Sequence, residues 1–151
     1  MKWTAYDVSM YEKEKQYIDT AVLPLLPLTF SERAKLAAAD GEFMQLVTNE
    51  IERQLKGRLF LFPSFPYFAS ETLDVCVERL NCWTTELKEA GMRHVFYVTT
   101  DQKWKEKESM LTGVLFFLPS IPFEHMDDSY KQQIVYEQTT KLLNAFISHW
   151  V

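Results

Sequence analysis

The sequence predicts a single α/β domain spanning residues 1–151: a three-layer sandwich in which a mostly parallel sheet of about four strands is flanked by helices. Three observations carry this prediction. Short apolar runs alternate with stretches of helical periodicity along the chain. The runs show little polar alternation, the pattern of strands covered on both faces. The phrase LFLFPSFPYF, Leu59 to Phe68, also returns 56 positions later as VLFFLPSIPF, Val114 to Phe123.

Taken in order, Ser9-Met10-Tyr11-Glu12 has the form of a capping box and opens a short helix to about Ile18. Ala21 to Leu26 has the length of a buried strand, and Pro24 within it argues for a sheet edge or a strand end. Thr29-Phe30-Ser31-Glu32 repeats the capping pattern and starts a helix expected to bend near Asp40-Gly41. Beyond the bend, Phe43, Leu46, Val47, Ile51 and Leu55 recur at helical spacing, and Gly57 sits at the C-terminal cap. Arg58 to Pro63 reads as a strand. Ser70 caps the next helix, whose apolar face is Leu73, Cys76, Val77, Leu80, Trp83 and Leu87, ending at Gly91. His94 to Thr99 and Gly113 to Leu118 are further strands, and Asp127 or Asp128 caps a last helix. About ten residues join those two strands, close to the minimum for a parallel crossover. The repeat favours that crossover over a hairpin.

The repeated phrase makes two central, adjacent strands with Pro-Ser-x-Pro at each exit, where proline removes a ladder donor and keeps the chain extended. Parallel strands would bring both exits to one edge of the sheet, the edge at which open α/β folds place ligands. That edge would carry Phe65, Tyr67, Phe68, Ile121 and Phe123, an apolar surface suited to a partner if exposed.

Composition narrows the function. A net charge of −5 disfavours nucleic acid as a partner. The opening MKWTAYDVSMYEKEK has no apolar core of an export signal, and no apolar run is long enough to cross a bilayer. Cys76 and Cys82 fall six apart in one predicted helix and cannot bridge each other, which fits a reducing, cytoplasmic setting. The glycine fingerprints of dinucleotide and P-loop sites are absent, as is the G-x-S-x-G elbow. His94, His125 and His149 lack zinc-site spacing, so neither metal nor cofactor is expected. Asp101 ends a strand where α/β enzymes often place an acid. His125, among Glu124, Asp127 and Asp128, offers an imidazole beside carboxylates. Each also fits a turn or a helix N-terminus. Ser64 and Ser120 read as turn residues bonding their own backbone. Lys103, Trp104, Lys105 and Lys107 alternate with acids and read as a solvated connection.

The opening MKW, the stretch YIDTAVLPLLP and the segment LFLFPSFPYF resemble the YpiF-like family of Gram-positive bacterial proteins. That resemblance brings no established activity and implies at most a loose link to the assembly or regulation of membrane respiration. From Thr20 to Thr100 the strand-helix rhythm is similar to creatininase-type amidohydrolases. Glu32 stands where their metal-binding glutamate would be, but Ala34 replaces the histidine, and Thr99-Thr100-Asp101-Gln102 replaces their second metal motif. This second likeness implies the fold without the metals.

The expectation that follows is a non-catalytic cytoplasmic domain acting through protein contacts at the aromatic edge, with another protein or a second copy. The alternative is a small-molecule-binding protein or hydrolase at the same edge, using Asp101, Glu124 and His125.

Overall fold

The computed structural model describes residues 1–122 and 125–151. In chain order the elements are α1 (Ala5–Glu14), β1 (Thr20–Leu28), α2 (Ala34–Gln54), β2 (Leu59–Leu61), β3 (Phe65–Phe68), α3 (Leu73–Glu89), β4 (His94–Thr99), a 3-10 helix (Gln102–Met110), β5 (Val114–Phe117) and α4 (Asp128–Trp150). The sheet runs β2-β1-β4-β5, with β3 also on β1, and every one of these pairings is parallel. The fold is the expected α/β sandwich with a parallel sheet.

Side chains on alternate residues of each strand enter opposite cores. Ala21, Leu23, Leu25, Val95, Tyr97 and Leu115 pack with Cys76 and Leu80 of α3. Val22, Phe96, Val98 and Phe116 pack with Phe43 and Val47 of α2 and with Leu142 and Phe146 of α4. Two such interiors explain why the strands read as continuous apolar runs. Cys76 lies in the first of them, whereas Cys82, on the same helix, is exposed; both are free thiols.

Several local expectations are corrected. The first helix begins a turn earlier than Ser9, because Thr4 Oγ1 accepts the Asp7 N–H at 3.1 Å while Asp7 takes the Lys2 N–H at 2.7 Å. Ser70 does not cap α3, which follows Thr72. α2 passes unbroken through Asp40 and Gly41. A Cβ on Gly41 would lie 2.7 Å from Leu26 Cδ1, so the glycine serves close packing on β1 rather than a bend. Gly91 does end α3, at a φ of 109° that glycine tolerates freely.

The sheet order overturns the reading of the repeat. β2 and β5 are the outer strands of the β2-β1-β4-β5 path, with β1 and β4 between them, so the two phrases are parallel but not adjacent. The first phrase does not leave the sheet at its prolines either. The register offset against β1 steps from 39 residues at Thr20↔Leu59 to 40 at Leu25↔Phe65. Pro63-Ser64 is thus a one-residue jog, after which Phe65–Phe68 resumes pairing as β3.

Pro24 sits in the central strand, not at an edge, and the ladder explains how. Even-numbered residues of β1 direct their backbone groups to the β2 side: Thr20 N–H donates to Arg58 O, Val22 O accepts from Phe62, and Leu28 O accepts from Ala69. The donor that Pro24 lacks would therefore point at the jog, where the neighbouring strand is broken anyway. Pro27, odd-numbered, faces the β4 side beyond the last paired residues, Pro24 and Val98. Neither proline removes a bond the sheet needs.

The order also defines a topological switch. From β1 the chain leaves through α2, on one face, to β2; from β4 it leaves through the 3-10 helix, whose Trp104 packs on the other face, to β5 on the opposite side. The connections diverge between the carboxyl ends of β1 and β4, where such folds open a crevice.

Candidate functional site

A cleft of about 390 Å³ lies at that divergence. Pro27 and Thr29 at the exit of β1, with Ser31, form one wall. The opening turns of α2 supply Arg33, Leu36, Ala37 and Asp40. Thr100, Asp101, Gln102 and Lys103 bring the exit of β4 and the start of the 3-10 helix, and Ser120 closes the site from the exit of β5.

The loop before α2 is ordered by its hydroxyls. Thr29 Oγ1 donates to Ser31 Oγ at 3.0 Å, the Ser31 N–H returns to Thr29 Oγ1, and the Arg33 N–H donates to Ser31 Oγ at 3.2 Å. What reads as a capping box is therefore a chain of turns. It sets Arg33 at the head of α2, which has no side-chain cap. Phe30, between the two hydroxyl residues, is 96% exposed.

Among the described residues Ser120 bonds neither its own backbone nor a histidine. Its hydroxyl faces Asp40, 2.8 Å from Oδ1 and 3.0 Å from Oδ2. This ties the β5 exit to α2 across 80 residues of sequence. Burial pushes the Asp40 carboxyl above its ordinary value, and the bond from Ser120 offsets only part of that rise.

Asp101 is held from three directions. Its N–H donates to Thr99 Oγ1 at 3.0 Å, its Oδ1 accepts the Lys103 N–H at 3.1 Å, and its Oδ2 accepts the Tyr67 hydroxyl at 2.6 Å. Trp104, fully buried, donates its indole N–H to the same Tyr67 oxygen at 2.8 Å and meets the ring edge-on. Burial, and then the neighbouring carboxylate, push the Tyr67 phenol far above its usual range, so it stays protonated and acts as donor. The charged connection read as solvated thus hides an anchor.

The expected aromatic surface is mostly interior. Phe65 is 0% exposed and Tyr67 4%, because β3 pairs with β1 and turns alternate residues inward. Phe68, on the outward alternation, is 47% exposed, and Ile121 is half-buried against the α2–α4 core. Phe123 and Glu124 lie outside the described residues. Of the alternative candidates Asp101 lines the cleft, while His125 is exposed and does not line it. Among the described residues no three His, Cys, Asp or Glu side chains converge as a metal site would require. Arg33 and Asp40 were not anticipated; their place depends on how α2 crosses the sheet, which no local pattern encodes.

Other hollows sit away from the strand ends. A groove of about 760 Å³ runs between α2 and α4 past Leu46 and Tyr136, and an aromatic one of about 340 Å³ lies between α1 and α3 beside Trp3 and Phe62. Among the described residues no helix is long and apolar enough to cross a membrane.

Comparison with known proteins agrees with the first resemblance. The chain is 37% identical over 150 residues to "Uncharacterized protein YpiF" of Bacillus subtilis (strain 168), covering 99% of this chain and 98% of that protein. No solved structure matches it. None of these findings supports the likeness to creatininase-type amidohydrolases. Residues 9–150 match the family model described as "Protein of unknown function (DUF2487)", and to that family the chain belongs.

Proposed function

We propose that the chain is a small-molecule-binding protein whose ligand enters the cleft between the ends of β1 and β4. The observation that carries this reading is the coincidence of that cleft with the switch point of a parallel sheet, lined by polar groups from segments distant in sequence. Binding rather than turnover is favoured by how the reactive groups are engaged. Ser120 is paired with Asp40 and Tyr67 with Asp101, and a carboxylate is a poor base for a serine hydroxyl. Two free cysteines support a reducing, cytoplasmic setting.

The test is a thermal-shift screen of a metabolite library against the parent and Ala37→Trp, which places an indole in the cleft. A ligand at a hundred times its Kd stabilises by about 2.7 kcal/mol, or roughly 5–10 °C for a domain of this size. The shift should vanish in the variant. Shifts that persist there, or none in the parent, would count against the cleft.

A second reading, contact with another protein or a second copy, is supported by the cleft's apolar rim. Phe30 and Phe68 are exposed beside lining residues, and Leu36 is partly so. Sedimentation of Phe30→Ser/Phe68→Ser against the parent decides it: an unchanged mass removes self-association through this rim.

A further inference from the structure

We infer that the cleft holds its ligand by an anionic head, a phosphate or carboxylate group, seated among Thr100, the first turn of α2 and the side chains of Arg33 and Lys103. This rests on the ligand-binding reading above and adds the chemistry of what is bound.

Thr100 is the starting point. It is 8% exposed, yet its hydroxyl has no partner among the described residues. Buried threonines elsewhere are mostly satisfied: Thr48 and Thr84 donate to the carbonyls of Met44 and Leu80, Thr20 to Asp19, and Thr99 accepts from Asp101. Thr139, also without a partner, is sealed within α4. Thr100 instead opens on the cleft. The Thr100 oxygen is not sealed from solvent as that of Thr139 is, so it is open to be completed by whatever occupies the cleft.

The surroundings set the sign of the charge. Arg33 and Lys103 line the same cleft, and neither has an ion-pair partner among the described residues. α2, 21 residues long, begins there without a side-chain cap, leaving the positive end of its dipole to the cleft. The two carboxylates present are already acceptors, Asp40 of Ser120 and Asp101 of Tyr67 and the Lys103 N–H. They disfavour a polyanion and leave room for hydroxyl or ammonium groups on the rest of the ligand. A cleft of about 390 Å³ admits a metabolite, not a polymer.

The experiment titrates inorganic phosphate and, separately, acetate into the ¹⁵N-labelled full chain at constant ionic strength, with methylammonium and glycerol as cationic and neutral controls. The amides of residues 29–37 and 100–103 should shift and saturate with at least one anion; the two anion arms separate phosphate from carboxylate recognition. Arg33→Ala/Lys103→Ala should weaken that anion at least ten-fold and Thr100→Val at least three-fold, while Lys105→Ala, outside the cleft, should leave it unchanged. Cleft shifts with methylammonium or glycerol but with neither anion would overturn the anionic head and leave the cleft as a ligand site. Silence of the cleft to every probe would overturn both. Shifts spread over surface lysines and indifferent to the double variant would overturn the anion site as non-specific.

Discussion

Replacing Tyr67 by Phe removes one oxygen and two hydrogen bonds while keeping the ring that meets Trp104 edge-on. The lost bonds differ in kind. The hydroxyl donates to the carboxylate of Asp101 at 2.6 Å, and a bond to a charged group contributes roughly 1.5–3 kcal/mol. It also accepts from the indole N–H of Trp104, which is fully buried, and a stranded buried donor costs about 1–3 kcal/mol. Water reaching the half-exposed Asp101 restores part of the first term, so the net loss should be about 2–4 kcal/mol. For a domain of this size that lowers the melting temperature by roughly 5–15 °C. Urea unfolding followed by circular dichroism measures it, and an unchanged slope with a lower midpoint places the effect in the folded state. A loss below about 0.5 kcal/mol would mean that Tyr67 and Asp101 do not clamp the 3-10 helix to β3.

Three further outcomes follow from the packing and the charges. Gly113→Ala should destabilise by about 1–3 kcal/mol in the same urea assay, because the new methyl would sit 2.6 Å from the Val95 carbonyl oxygen, which cannot move aside as a side-chain tip can. Phe65→Ala should cost about 3–5 kcal/mol with no change in sedimentation, since the ring is core and not a contact surface. The acid limb of stability should respond in opposite senses to two aspartates. Burial alone would raise Asp19, but hydrogen bonds from Arg58 and Thr20 outweigh it and hold the carboxyl below its ordinary value. Asp19 therefore contributes stability above its unfolded pKa that is lost as pH falls through the folded one, and Asp19→Asn should flatten that loss below about pH 4. Asp40 is raised by burial, so its contribution is full at acid pH and lost as pH rises through the folded value; Asp40→Asn should be relatively more stable at neutral pH, read from urea midpoints at pH 4 and 7.

The sequence made the layers legible because burial on both faces leaves a visible mark: unbroken apolar runs for strands, and helical spacing for α3. Strand order left no such mark. Pro24 argues for an edge only if its missing donor faces a neighbour, and which side it faces depends on the parity of β1 against Thr20 and Leu28. On its own the LFLFPSFPYF phrase reads as strand and exit; the jog at Pro63-Ser64 and the return to pairing at Phe65 need the register of β1, written forty residues earlier. The candidate site was half visible. Asp101 and Thr100 end an evident strand, but Arg33, Asp40 and Ser120 come to them only through the crossing of α2 and the β5 exit, which are contacts between distant segments.

The two thiols of α3 turn this helix into its own reporter. Cys82 faces solvent in the folded chain, whereas Cys76 is fully enclosed and its thiol is pushed up by burial. A maleimide dye in brief contact with the native protein should therefore mark Cys82 alone, and the slower second addition, at Cys76, would time how often the α3 face lifts from the sheet. With Cys82 already blocked, Cys76 becomes a clock for the chain's own breathing, and any compound that settles into the fold would slow it.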